Sequence, residues 1–193
     1  MPLPESILLH TLESPLSAKL GVPGSKSITN RALILAALNH GTTTLKGALW
    51  SEDTQVMVDC LRKLGFQIKI SIDPSDNANR QIQVRGLGGT LPSPTSLEEP
   101  LELYVGNAGT AARFLLAMTC LGKGKYRLSG VNRMHERPQV ELIDALRELG
   151  YVIESENGKL PAIVHGSGPK PGSRCTVSMQ GSSQFASALL LSS

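Results

Sequence analysis

Basic side chains stand beside three expected helix starts in this chain. They are Lys26 and Arg31 in Gly24-Ser-Lys-Ser-Ile-Thr-Asn-Arg31, Arg113 in Gly106-Asn-Ala-Gly-Thr-Ala-Ala-Arg113, and the pair in Arg133-Met-His-Glu-Arg137-Pro138. The first turn of a helix already carries partial positive charge and unbonded N–H groups, so acidic residues are normally favoured there. Breaking that preference twice, in segments of matching pattern, points to an anionic ligand that completes the electrostatics. The plainer alternative is that these arginines reach solvent or pair with a nearby Glu or Asp. Arg133 and Arg137, four apart before a proline, could clamp a carboxylate or phosphate through paired N–H bonds, or form a surface Arg–Glu network. A further segment, Gly181-Ser182-Ser183-Gln184, offers hydroxyl and amide donors at a helix start, where a Ser-Ser pair also serves as an ordinary cap. Gly24, Gly106 and Gly109 permit close backbone approach to a ligand, and equally a tight strand-to-helix turn.

Other chemistry finds little support. His10, His40, His135 and His165 are too scattered for a metal site. Cys60 and Cys120 fall on apolar helical stretches and read as core. Ser51-Glu52-Asp53 reads as a capped helix start with dipole-favoured acids, and Pro138 as the opening of another helix. Gly21-Val-Pro-Gly-Ser-Lys-Ser27 is a poor phosphate-binding P-loop, because glycine is missing directly before Lys26 and the two glycines stand too close together.

These segments recur because the chain repeats itself. Gly24, Arg31 and Leu33 line up with Gly106, Arg113 and Leu115; Leu45-Lys-Gly47 matches Leu128-Ser-Gly130; Leu61-Arg-Lys-Leu-Gly-Phe66 matches Leu146-Arg-Glu-Leu-Gly-Tyr151. Hydrophobic periodicity gives each unit the order strand, apolar helix, strand, amphipathic helix, strand, strand, which is an α/β class built of βαβαββ units. Copy one spans 18–85, with strands expected at Ala18–Val22, Thr42–Lys46, Phe66–Ser71 and Gln81–Arg85 and helices at Thr29–Leu38 and Asp53–Leu64. A loop follows at 86–100, then copy two at 101–165. A third copy, 174–193, contains a strand at Arg174–Met179 and an apolar helix, and stops inside that helix, so the chain reads as a piece of a longer protein. The helices Ala32–Leu38 and Phe114–Leu121 are apolar nearly all round and should be buried. Gly65 and Gly150 sit where a left-handed residue ends the amphipathic helices.

The 193 residues are 40% hydrophobic and 18% charged, ordinary for a globular protein, and only 4% aromatic. A net charge of +3 is too mild for the dense basic stripe of a nucleic-acid binder. No stretch reaches the roughly eighteen apolar residues of a membrane span, and the start lacks a signal-peptide pattern. Three widely spaced cysteines argue against a disulfide framework and for a cytoplasmic location.

Pro23-Gly-Ser-Lys26-Ser27-Ile-Thr-Asn-Arg31, Gly106-Asn-Ala-Gly109-Thr110-Ala-Ala-Arg113, Arg133-Met-x-x-Arg137-Pro138 and Ser182-Ser183-Gln184, in that order and spacing, resemble the 5-enolpyruvylshikimate 3-phosphate synthase family. Phe114 after Arg113 makes the chain look closest to the fungal versions embedded in multifunctional polypeptides. The resemblance implies the N-terminal part of a two-domain enolpyruvyl transferase fold, with three units per domain, substrates between the domains, and residues 1–17 belonging to the other domain. It implies that Lys26, Ser27, Arg31, Ser182, Ser183 and Gln184 bind shikimate 3-phosphate, and that Lys26, Asn107, Gly109, Thr110, Arg133 and Gln184 line the phosphoenolpyruvate side. It implies as well that Lys26 and Arg133 carry the catalytic electrostatics, with no metal or cofactor. The implied reaction moves the enolpyruvyl group to the 5-hydroxyl of shikimate 3-phosphate in the route to aromatic amino acids, and inhibitors that mimic phosphoenolpyruvate, such as glyphosate, act at the same place. The proton-transfer groups are implied to lie in the C-terminal half, so this stretch alone should bind anions without turnover. Two alternatives remain beside it: the related transferase acting on a UDP-sugar, disfavoured by Lys26-Ser27 and Ser182-Ser183-Gln184, and a non-enzymatic anion-binding module.

Overall fold

The computed structural model describes residues 4–11, 14–92 and 98–193. Part of the expected N-terminal segment 1–17 and of the loop 86–100 lies outside these residues. Copy one contributes α1 (Lys26–Leu38), β1 (His40–Leu49), α2 (Glu52–Lys63), β2 (Gln67–Asp73) and β3 (Asp76–Leu87). Copy two contributes β4 (Leu101–Tyr104), α3 (Gly109–Cys120), β5 (Lys123–Ser129), α4 (Asn132–Glu136), α5 (Val140–Glu148), β6 (Val152–Glu154) and β7 (Ala162–Ser167). Copy three contributes α6 (Ser183–Leu191).

The sheets show how closely the copies match. One has the order β1-β3-β2 and the other β4-β5-β7-β6. In both, the strand after the apolar helix pairs antiparallel with the last strand of its unit, which pairs antiparallel with the strand before it. The strand β4 adds in parallel to β5. Gly65 at φ +95° and Gly150 at φ +90° follow α2 and α5 in the left-handed conformation, as their position predicts.

The structure departs from the sequence reading at the first expected strands of copies one and three. Residues 18–22 and 174–179 form neither helix nor strand and pair with no sheet. An edge strand needs an apolar side to bury as well as hydrogen bonds, yet Leu20 is 80% and Val22 78% exposed, and nothing among the described residues covers them. A short helix, α4, fills the Arg133 segment, and α5 opens at Val140 with Gln139 as its N-cap. Pro138 therefore lies outside α5 and separates the two helices.

Every residue of α3 is buried, because α1, α2, α5, α6 and the second sheet all pack around it. The expectation of full burial holds less well for α1, where Ile28 and Leu35 face outward while Leu33, Ile34, Ala36 and Ala37 enter the core. Cys60 and Cys120 are buried as expected, and burial pushes both thiols up to about 12, which makes them inert packing groups.

The turn that delivers α1 is held from behind. Gly24 N–H donates to Asn79 Oδ1 at 2.8 Å, and Leu49 N–H to Thr29 Oγ1 at 3.1 Å. A side chain on Gly24 would collide with the Gly47 carbonyl and stand 2.9 Å from Leu49 N, so only glycine lets α1 start this close to β1. Gly47 sits in the β1 bulge, and its N–H donates to Asp73 Oδ2 at 2.7 Å, while Ser75 donates its hydroxyl and N–H to Asp73 Oδ1. The Ser75 hydroxyl first, then the backbone N–H groups, hold the Asp73 carboxyl below its ordinary pKa. A lowered folded pKa means stability present above the unfolded value of about 3.9 and lost as pH falls through the folded value. Asp73→Asn should therefore lower the urea midpoint at pH 7 and flatten its decline below about pH 4; an unchanged decline would show that the carboxylate does not carry it.

Candidate active site

The starts of α1, α3 and α6 meet at one cavity of about 470 Å³, within the usual size of a small-ligand site. Lys26 and Ser27 come from α1, Asn107 to Thr110 from the turn into α3, Gln184 from α6, Glu52, Asp53 and Val56 from α2, and Arg137 from the chain after α4. None of α1, α3 or α6 has an acidic residue in its first turn, and no side chain caps α3. The uncapped N–H groups of α3 therefore open towards a space where an anion would complete them.

Lys26 reaches across to α2, its Nζ 3.1 Å from Asp53 Oδ2, with both side chains still partly exposed. Arg137 lies over Gly109 and donates to the Asn107 carbonyl at 3.4 Å. Thr110 is buried in the first turn of α3. Gln184 lines the cavity, and its backbone N–H donates to Ser182 Oγ at 3.2 Å, which makes Ser182 the N-cap of α6.

Four expected site residues are not part of this lining. Arg31 turns along α1, donating to the Ser27 carbonyl and to Ser187 Oγ, with its guanidinium 5.3 Å from the Phe114 ring centre. Ser182 is half-buried and Ser183 exposed at the start of α6. Arg133 is 75% exposed and pairs with Glu136 at 2.8 Å. Arg113 departs from the reading of an arginine presented to a ligand. It is 6% exposed and donates to Gln184 Oε1 at 2.6 Å and to Gln139 Oε1 and Ser182 Oγ at 3.4 Å. The reason is position: Arg113 lies a full turn inside a helix buried all round, where the nearest polar atoms belong to α6 and the α5 cap. Burial first and then Arg137 push its pKa down from the ordinary value, with Glu141 opposing.

Glu52 and Asp53 as cavity residues are additions to the sequence reading, whereas Arg137 is the member of the expected Arg133–Arg137 clamp that lines the cavity. The signal was present in the repeat: Ser51-Glu52-Asp53 occupies in copy one the place that Arg133 to Pro138 occupies in copy two. The P-loop alternative also loses its basis, since Gly24 N–H is bound to Asn79 rather than free for a phosphate.

Two repeated units, the first without its leading strand, aim the starts of their apolar helices at one polar cavity, and this arrangement has the enolpyruvyl transferase fold. A solved enolpyruvyl transferase, NikO from Streptomyces tendae, shares that fold at TM-score 0.54 and 13% identity, over 86% of this chain and 35% of its own. The family model for EPSP synthase (3-phosphoshikimate 1-carboxyvinyltransferase) matches residues 11–193, and the chain belongs to that family. The EPSP synthase structure from Acinetobacter baumannii superposes at TM-score 0.76 with 29% identity, over 91% of this chain and 38% of that one. A 3-phosphoshikimate 1-carboxyvinyltransferase from Nostoc sp. is 42% identical over 189 residues, which are 97% of this chain. The chain thus spans 42% of the length of that curated relative. No helix among the described residues is long and apolar enough to cross a membrane.

Proposed function

We propose that the full-length protein carrying this chain transfers the enolpyruvyl group of phosphoenolpyruvate to the 5-hydroxyl of shikimate 3-phosphate and releases phosphate, in the cytoplasm. The observation that supports this most is the cavity itself, where three acid-free helix starts and the cations Lys26 and Arg137 face one space. Two substrates that together bring two phosphates and two carboxylates suit such a site.

In this reading Lys26 leaves Asp53 to contact both substrates. Ser27, Arg31, Ser182 and Ser183 hold shikimate 3-phosphate, and Gln184 lies between the substrates. Asn107, Gly109 and Thr110 place the open N–H groups of α3 at phosphoenolpyruvate, and Arg133 exchanges Glu136 for the bound anion. Protonation of the methylene carbon makes C2 electrophilic. The 5-hydroxyl oxygen then bonds to C2 and gives up its proton. Loss of a proton from the new methyl group and departure of phosphate restore the double bond. Fixed positive groups stabilise the charge that develops, in a cleft closed to water. Residues 1–17 belong to the second domain, which contributes the groups that move these protons and covers Leu20 and Val22.

Phosphate release assays test this directly. The full-length protein should release phosphate only when both substrates are present, while residues 1–193 alone should bind shikimate 3-phosphate by calorimetry without turnover. Turnover by residues 1–193 alone would contradict the placement of the proton-transfer groups, and absence of turnover by the full-length protein would contradict the reaction.

A further inference from the structure

Arg113 touches no part of the cavity, yet it is bonded to two of the groups assigned to the substrates. A guanidinium is a donor only, whereas a serine hydroxyl and a glutamine amide can each donate or accept. Arg113 Nη1 donates to Gln184 Oε1 at 2.6 Å and to Ser182 Oγ at 3.4 Å. With Oε1 held by Arg113, Nε2 is the donor that the amide of this cavity-lining residue has left to offer a ligand. Ser182 Oγ also accepts the Gln184 N–H, so both of its acceptor positions are filled and its proton remains to be given outward.

The arginine is itself fixed. Its guanidinium lies 4.8 Å from the Phe185 ring centre, and its Nε donates to Gln139, a wholly buried residue at the cap of α5. It therefore joins α3, the α5 cap and α6 at the point where the anion-facing groups emerge. Within the reaction proposed above, we infer that Arg113 is a positioning residue that commits Gln184 and Ser182 to act as hydrogen-bond donors towards the anionic substrates.

The test is a double-mutant cycle in the full-length enzyme, using Arg113→Met, Arg113→Lys and Gln184→Ala, read as kcat, KM for phosphoenolpyruvate and melting temperature. Methionine keeps the reach but has no donor, so Arg113→Met should raise that KM about tenfold, a coupling of ordinary size for residues sharing a hydrogen bond. Lysine is also a pure donor and should restore part of the loss. In the Gln184→Ala background the Arg113 substitutions should raise KM by less than about twofold, because the group they orient is gone. Equal rises in both backgrounds, with Gln184→Ala itself impaired, would overturn the positioning role and leave the proposed reaction standing. A silent Gln184→Ala would remove Gln184 from the site and overturn the positioning role, again leaving the proposed reaction standing. If Arg113→Met does not fold, the cycle with Arg113→Lys makes the same comparison, non-additive effects supporting the role and additive effects refuting it.

Discussion

Alanine at Lys26 should lower turnover of the full-length enzyme by about 10²–10³-fold, the loss expected when one fixed positive group is removed from developing charge. Lys26 is the ammonium group that α1 sends to the cavity, held by a helix whose entry turn is pinned through Gly24, Asn79 and Thr29. The loss has a second source in Asp53. With Nζ present at 3.1 Å, the Asp53 carboxylate is neutralised; without it, a free negative charge faces each incoming anion. Removing both charges should therefore be less harmful than removing the cation alone, so Lys26→Ala with Asp53→Ala should recover part of the lost substrate affinity. Steady-state phosphate release at saturating and limiting substrate separates the two contributions. Near-normal turnover in Lys26→Ala would refute its role.

Gly109→Ala is expected to act on binding and not on folding. Gly109 is the first residue of α3, and its φ lies outside the left-handed region, so the backbone accepts alanine. The added methyl would stand 2.5–2.7 Å from the Arg137 guanidinium. That group is the end of a flexible side chain and can move, and in moving it takes space from the cavity that both residues line. The variant should melt within a few degrees of the parent, while KM for phosphoenolpyruvate rises by about tenfold or more, since a small steric change in a pocket is worth about 1–3 kcal/mol. Inhibition by a phosphoenolpyruvate mimic such as glyphosate should weaken with it. Unchanged values for both would show that phosphoenolpyruvate does not sit against α3.

What could be read in the sequence follows a physical line. The doubled unit was legible because each copy must bury the same faces, so Gly65 and Gly150, or Arg31 and Arg113, recur at matching places. The convergence of the helix starts was legible because apolar helices whose first turns hold no acidic residue have few ways to satisfy their buried ends. Side-chain direction was not. Arg113 and Arg137 carry the same charge near the same helix, and only packing turns one to Gln184 and the other over Gly109. The pairing of residues 18–22 and 174–179 was equally out of reach, because apolar alternation marks a strand only where another layer covers it. Asp53 read as a helix-start acid, which it is, and its second contact with Lys26 spans two elements that local pattern does not connect.

The most direct measurement is a crystal structure of the full-length protein with shikimate 3-phosphate and a phosphoenolpyruvate mimic bound. The ligands' phosphate and carboxylate oxygens should lie within hydrogen-bonding distance of Lys26 Nζ, the first N–H groups of α3 and Gln184 Nε2. Ligands seated on another face, with Lys26 still paired to Asp53 and the space between α1, α3 and α6 holding only water, would contradict the account.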